Sequence, residues 1–320
     1  MTSNLLSVTC MCKKKQQNGA VLLAVLIVAL AAVILLGVVS HALNNRIYLA
    51  QQAKQKLQDV SSVYGKFHEL SYLLATQRIT VAGVSTGLNP QGLLRDDEGH
   101  WLLTVIGDEI RTDGFTYTLQ NDLRFSIQNE AGLLGINSSG QYWLKKILAS
   151  YGLSAIEQAG FADVLADYAD SDDWRRPLGA ESHAYQKVKS PLPRNYLLQS
   201  CNELWRLQTW SEWLNKYPDF LRFCGISRGE TLNLNVIPVE LWRRLWPASA
   251  NKINEQREQG KWLVSDGEIL LLEPTFAQIP EDYYSTLGSQ KFLLSIQKGG
   301  SKLFVTVAIG NGKSKPILTR

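Results

Sequence analysis

The sequence predicts an α+β fold: a long N-terminal helix packed on a small antiparallel sheet, with a large α-helical domain inserted between the strands. Three observations predict it. A charge-free apolar run passes into helical periodicity with no proline before Pro90. Two stretches, Thr116–Gln128 and Lys291–Gly310, alternate like strands. Between them the period is helical for about 145 residues. Eight of the nine tryptophans follow residue 138, which places an aromatic core in that central section.

The helix comes first. Ala20–Val39 carries no charge and no proline. About 20 residues rising ~1.5 Å each span the ~30 Å of a hydrocarbon core. Lys13, Lys14 and Lys15 precede it, so the N-terminal side stays cytoplasmic and the remainder faces the other compartment. Beyond the apolar run, steps of three and four residues continue through Ile47, Leu57, Tyr64, Phe67, Leu70 and Leu74. One helix is expected from Ala20 to about Arg78. Its stripe needs a cover, either a sheet or neighbouring subunits. These six residues are the candidate interface.

The strand segments carry their own turns. Asn121–Asp122 interrupts the first, and a Lys-Gly-Gly-Ser turn divides the second. Within the central section, helices are expected at Tyr142–Ser150, Ala155–Ala169, Leu198–Tyr217 and Val239–Trp246. The resulting organisation is a leader over 1–19, a helix over 20–78, sheet strands over 79–140, the insert over 141–287 and closing strands over 288–320.

Composition excludes some functions. The net charge is +4, and three of those charges are the leader lysines. What remains is no footprint for nucleic acid. Cys10 and Cys12 lie in the leader; Cys201 and Cys224 lie in the exported part, where disulfides persist. A Cys201–Cys224 bridge is expected, the alternative being two buried free thiols. Gly83-Val84-Ser85-Thr86-Gly87 matches a nucleophile-elbow pattern, but a helix precedes it and Pro90 follows, the reverse of the strand–turn–helix the motif needs. His41, His68, His100 and His183 show no ligand spacing. No catalytic residue is assigned, and no enzyme is expected.

One constellation suits an ion. Asp170, Asp172 and Asp173 crowd together, with Glu181 eight residues on. Crowded carboxylates repel unless solvated or bridged, and Ca²⁺ takes oxygen ligands in irregular loops. A solvated loop is the alternative, and Arg175 and Arg176 are competing partners.

Two resemblances extend this reading. A polar leader ending in Gly19, directly before an uncut apolar helix, resembles the type IV pilin and pseudopilin signal. The resemblance implies cleavage by a prepilin peptidase between Gly19 and Ala20. The insert is more specific. DVLADYADSDDWRRPLGAESHAY (Asp163–Tyr185) resembles the signature of type II secretion system protein K, the large minor pseudopilin. IQNEAGLLGIN (Ile127–Asn137), PRNYLLQSCNELWRL (Pro193–Leu207) and TLNLNVIPVELWRRL (Thr231–Leu245) resemble further blocks of that family, in the family order. Tyr168 stands where the family often has Trp, and Val236–Ile237 replace its usual Thr-Ala.

The family implies a pilin-like fold and a place at the tip of a periplasmic pseudopilus that is anchored in the inner membrane. It also implies partners among the pseudopilins, above all the type I and type J siblings, and calcium in the helical domain at Asp170, Asp172, Asp173 and Glu181. Ala24 occupies the fifth mature position, where most pilins carry Glu and protein K members lack it. In hydrocarbon an unpaired carboxylate is costly. A tip subunit has no neighbour beyond it to neutralise. A minor pilin of a type IV pilus is the nearest alternative; a membrane-anchored periplasmic hydrolase is the more distant one.

Overall fold

The computed structural model describes residues 20–89, 105–187, 190–310 and 317–319. Gly19, Cys10, Cys12 and the leader lysines lie outside the described residues. The chain forms two compact units, residues up to Gln58 and Asp59–Arg320.

Helix α1 (Ala20–Thr76) is continuous. It holds a window of mean hydropathy 3.3, long and apolar enough to cross a membrane by length and composition. In the first unit its residues are exposed, Ile47 and Leu57 included. In the second unit its character changes. Val63, Leu70 and Leu74 are buried, with Phe67 packed against the same cluster.

The cover is a five-stranded antiparallel sheet in the order β11-β10-β9-β4-β3. Its members are β3 (Tyr117–Thr118), β4 (Arg124–Asn129), β9 (Lys291–Lys298), β10 (Ser301–Ile309) and β11 (Ile317–Thr319). Alternation decides which side chains meet the helix. Phe125 and Ile127 of β4 lie opposite Ile296 and Leu294 of β9, and all four are buried with Leu70 and Leu74. Asn121 and Asp122 both take positive φ between β3 and β4, which is the turn expected there. Gly299, at φ +53, lets the β9–β10 turn close against α1: a Cβ there would run into the Asp59 carboxylate.

The sheet therefore claims two of the six candidate interface residues fully, Leu70 and Leu74, and part of a third, Phe67. Leu70 and Leu74 are buried against this chain's own strands, and Phe67 is half-buried against the same cluster. Covering the helix stripe is a job the sheet does.

Strands β4 and β9 are adjacent and antiparallel, yet the whole insert lies between them. The sheet is left at Asn129 and resumed at Lys291. Topologically the insert is the loop of a two-stranded ladder. Asn129 clasps its ends: Nδ2 donates to Ser289 O at 2.8 Å, and Oδ1 accepts from Ser289 N and Ser289 Oγ at 3.0 and 2.9 Å.

A small pair, β1 (Val84–Ser85) with β2 (Glu109–Ile110), lies before the sheet. Ser85 is thus on a strand, and its hydroxyl donates to Asp108 Oδ1 at 2.9 Å. Inside the insert are β5 (Leu134–Gly135), α2 (Tyr142–Ser150), α3 (Ala155–Ala169), α4 (Ser182–Lys187) and α5 (Trp210–Lys216). Next follow β6 (Cys224–Gly225), β7 (Leu232–Asn233), α6 (Val239–Leu245), α7 (Ala250–Glu258), α8 (Asp266–Leu272) and β8 (Tyr284–Ser285). Parallel pairs β5–β6 and β7–β8 tie its front and back together. Trp210, Trp242, Tyr168, Tyr185, Phe220 and Phe276 are fully buried in its core. The expected helix Leu198–Tyr217 is broken. A 3-10 turn over Cys201–Arg206 precedes α5, because Thr209 takes φ 66 between them.

One buried ion pair joins insert to sheet region. Arg257 of α7 is fully buried. Its Nη1 donates to Asp113 Oδ2 at 3.2 Å and to Ile237 O at 2.7 Å, and its Nη2 donates to Leu234 O at 2.8 Å. Asp113 also accepts from Arg111 at 2.5 Å. Burial pulls the Arg257 guanidinium below its ordinary range, opposed by the Asp113 charge. Breaking such a pair leaves an uncompensated buried charge, which costs roughly 3–5 kcal/mol. Arg257→Met should therefore lower stability by about 3 kcal/mol, since Arg111 still holds part of the Asp113 charge. Urea unfolding of the detergent-solubilised chain measures it. A shift within error of wild type would mean that the pair does not anchor the insert.

Candidate functional site

The acidic constellation forms where α3 ends. Ser154 and Glu157 cap the start of α3 reciprocally. Asp163, Asp167 and Asp170 fall on one face of it at helical spacing. Loop 170–181 then folds back over that face.

Asp167 is the hub. Its side chain is fully buried and accepts from the Arg176 backbone N–H at 3.2 Å and from Arg176 Nη1 at 2.7 Å. Arg176 Nη1 also donates to Asp170 Oδ2. Hydrogen bonds to Asp170 and then Asp167 raise the guanidinium's affinity for its proton. Gly179 passes so close to Asp167 that a Cβ would overlap its carboxylate. This explains a glycine in the Gly-Ala-Glu run physically: only a residue without Cβ lets the loop lie on the buried acid.

Glu181 points into the same place. It is 6% exposed, and neither of its oxygens makes a well-formed hydrogen bond. The Ser182 backbone offers only a glancing one. Burial, then the charges of Asp167, Asp170 and Asp173, push its carboxyl up to about 7. Asp170 Oδ1, Asn195 Oδ1 and the Tyr168 hydroxyl are likewise buried without a well-formed hydrogen bond.

The four candidate ligands thus separate. Asp170, Asp173 and Glu181 share one electrostatic neighbourhood. Asp172 does not: it is exposed, and its Oδ1 accepts from Trp174 N at 2.8 Å, closing a local turn. Asp173 Oδ1 lies 3.5 Å from Asn195 Nδ2. Two members of the cluster, Asp167 and Asn195, were not among the sequence candidates. For Asp167 the i, i+3 spacing to Asp170 is the signal that finds it; Asn195 carries none.

Do these residues fit calcium? In kind they do. The unpartnered acceptors of Asp170, Glu181 and Asn195 are all oxygens, the ligand type a hard cation takes. In arrangement they are open: among the described residues no three His, Cys, Asp or Glu side chains are grouped closely enough to hold a metal ion. The cation that the cluster does hold is Arg176.

The cysteines lie elsewhere in the insert. Cys201 and Cys224 are joined, with Cα atoms 6.0 Å apart, and fix the broken helix to β6. In the chain-entropy model a loop of ~22 residues gains about 3 kcal/mol from such closure.

With this geometry described, comparison with known proteins is informative. The family model of type II secretion system protein K matches residues 121–216. That stretch runs from the β3–β4 turn through α5 and contains the acidic loop whole. It is protein K-like. Three of the four sequence blocks that resemble the family lie within it; Thr231–Leu245 lies beyond. Among solved structures, a chain of the GspK-GspI-GspJ complex from the enterotoxigenic Escherichia coli type 2 secretion system superposes with a TM-score of 0.53. The identity is 16%, and the match covers 86% of this chain and 97% of that one. This chain therefore shares that fold over most of its length. Comparison with curated proteins gave no match.

Gly179 supplies a test of the site's construction. Gly179→Ala must push the loop off Asp167, and overpacking of this kind costs about 1–3 kcal/mol. Lower thermal stability and altered emission from the adjacent exposed Trp174 are expected. Wild-type stability and spectrum would show that the loop is not seated on the buried acid.

Proposed function

We propose that this protein is a minor pseudopilin that sits at the tip of a type II secretion pseudopilus, where it starts or caps assembly of the filament. The observation that carries the reading is where the family match falls. The matched residues 121–216 run through β4 into the first part of the insert, which is looped out between β4 and β9 of a helix-plus-sheet body. A body of that kind packs in a filament through its long helix. A domain as large as residues 130–290, mounted on the sheet, obstructs a further subunit.

In this reading α1 anchors the chain once in the inner membrane, with Asp59–Arg320 in the periplasm, and a prepilin peptidase removes the leader at Gly19–Ala20. The protein works by assembly, not catalysis. Its partners are the type I and type J siblings, as the composition of the similar complex suggests. The insert binds Ca²⁺ through the oxygens of Asp170 and Glu181, with Asp173 and Asn195 at the rim. Calcium supplies charge neutralisation there; Asp167 and Gly179 position the loop.

The face that meets the siblings is the side of α1 turned away from the sheet. Tyr64, His68 and Tyr72 recur every four residues and are exposed, the two tyrosines at 51% and 62%. Exposed aromatic residues on a helix are typical anchors of an interface. Co-purification of the three full-length proteins in detergent, with the mass measured, tests this. A one-to-one-to-one complex is expected, and Tyr64→Ala with Tyr72→Ala should weaken it about tenfold or more. Formation of a homopolymer instead, or a complex indifferent to both substitutions, would refute the reading.

A further inference from the structure

We propose that the outer edge of β10 is a strand-addition site: over Lys302–Thr306 it takes an extended segment of a sibling pseudopilin, apolar beside Phe304. The inference rests on the sibling reading above.

The first observation is a row of backbone groups. β10 runs from Ser301 to Ile309. β9 pairs with it from Ser301 to Ala308, whereas β11 pairs only with Val307, Ala308 and Ile309. The turn fixes which groups face which neighbour. Gly299 and Gly300 are a two-residue connection, so Lys298 and Ser301 form the first bonded pair. Every second residue of β10 after Ser301 then turns its N–H and C=O to β9. Ile309 keeps that parity: its N–H donates to Gln290 O at 2.9 Å, on the β9 side. The residues between, Lys302, Phe304 and Thr306, turn theirs outward, the way Ala308 meets Leu318 of β11. Among the described residues no strand lies opposite these three. The edge accepts a strand at one end and is open over the rest.

The second observation is the side chains. Natural edges are blunted by charge, proline, a bulge or short length. Ser301–Thr306 carries one charge, Lys302, and no proline. Phe304 at its centre is 71% exposed, and among the described strand residues it is the one large apolar side chain left so open. Leu303 and Val305 pack on the core under α1 from the opposite face, yet both remain half-buried. An added strand would extend the cover of Leu303 and Val305 on one face and give Phe304 a cross-strand neighbour on the other.

The third observation is what stands beside the edge. Lys66 Nζ lies 4.6 Å from the centre of the Phe125 ring, so that side of α1 overhangs β4. Tyr64 precedes Lys66 by two residues, about 200° around the helix, and projects from the other side. In the sheet, β10 is across β9 from β4. The exposed tyrosine face and the open edge therefore border one another, and Leu303 and Val305 share a cluster with Val63, the residue before Tyr64. A sibling seated on Tyr64 stands beside β10. In strand addition the main-chain hydrogen bonds supply affinity, and contacts to alternate side chains, here Phe304, supply selection.

The test compares the full-length chain alone in detergent with the same chain in the complex with its siblings, by hydrogen exchange resolved to single amides. The amides of Lys302, Phe304 and Thr306 should exchange freely in the chain alone and about tenfold or more slowly in the complex. Those of Leu303 and Val305, bonded to β9, should be slow in both. Phe304→Lys adds a second charge to the edge and leaves the core alone. It should weaken the complex about tenfold while melting within error of wild type. The exchange comparison needs only the wild-type chain, so it decides the matter even if Phe304→Lys does not fold. Identical exchange of the three amides with and without the siblings overturns the inference and leaves the sibling reading intact. Slow exchange already in the dilute chain alone shows an edge covered by the chain itself and overturns it. Slowing that grows with the concentration of the chain alone shows a second copy as the occupant and overturns it too. Absence of any complex overturns the sibling reading and this inference together.

Discussion

The structure depends on a ladder whose two strands are far apart in sequence. β4 and β9 pair residue for residue, Phe125 on Ile296 and Ile127 on Leu294. Paired strands lie about 4.8 Å apart. The insert must therefore leave and return through one narrow gate, which Asn129 and Ser289 hold shut. A segment so constrained cannot share the small core between α1 and the sheet, and it builds its own. Its core is aromatic because short helices of six to fifteen residues bury little each, and large rings fill the space where several ends meet. The Arg257–Asp113 pair then fixes how this second core sits on the sheet region. Both connections are polar and geometrically demanding. They specify an orientation where apolar packing alone would tolerate several.

The same gate separates the molecule's two roles. α1 spends one face on the sheet, through Val63, Leu70 and Leu74. Its other face leaves Tyr64, His68 and Tyr72 exposed. The insert takes no part in that division. It hangs from the sheet and carries the acidic loop, where Asp167 is buried so deeply that a cation must accompany it. That cation is Arg176, and the loop between α3 and α4 closes over the same hub.

Much of this was legible in the sequence, for local reasons. α2 and α3 form over Tyr142–Ser150 and Ala155–Ala169, as their helical periodicity predicts, and the Ser154–Glu157 capping box starts the second of them. The strand turns announce themselves through Asn121–Asp122 and Gly299–Gly300. Leu198–Tyr217 misled because its apolar spacing is helical, while Thr209 takes a positive φ and Cys201 is tied to Cys224; periodicity senses neither. The candidate interface mixed two faces for a similar reason: Phe67, Leu70 and Leu74 are apolar because the sheet needs them, and periodicity does not say which cover a stripe receives. Arg257 and Asp113 lie 144 residues apart, so no pattern joins them. In the acidic cluster, spacing drew attention to Asp172, which the loop turns outward. It passed over Asp167, whose importance comes from burial under Gly179.

The central claim is that the insert makes this chain a terminal subunit. It is tested most directly by counting and locating the protein on assembled pseudopili, with a gold label on an engineered surface cysteine of the insert and electron microscopy of the filaments. The account predicts one label per filament, always at one end. Labels spaced along the shaft would contradict it.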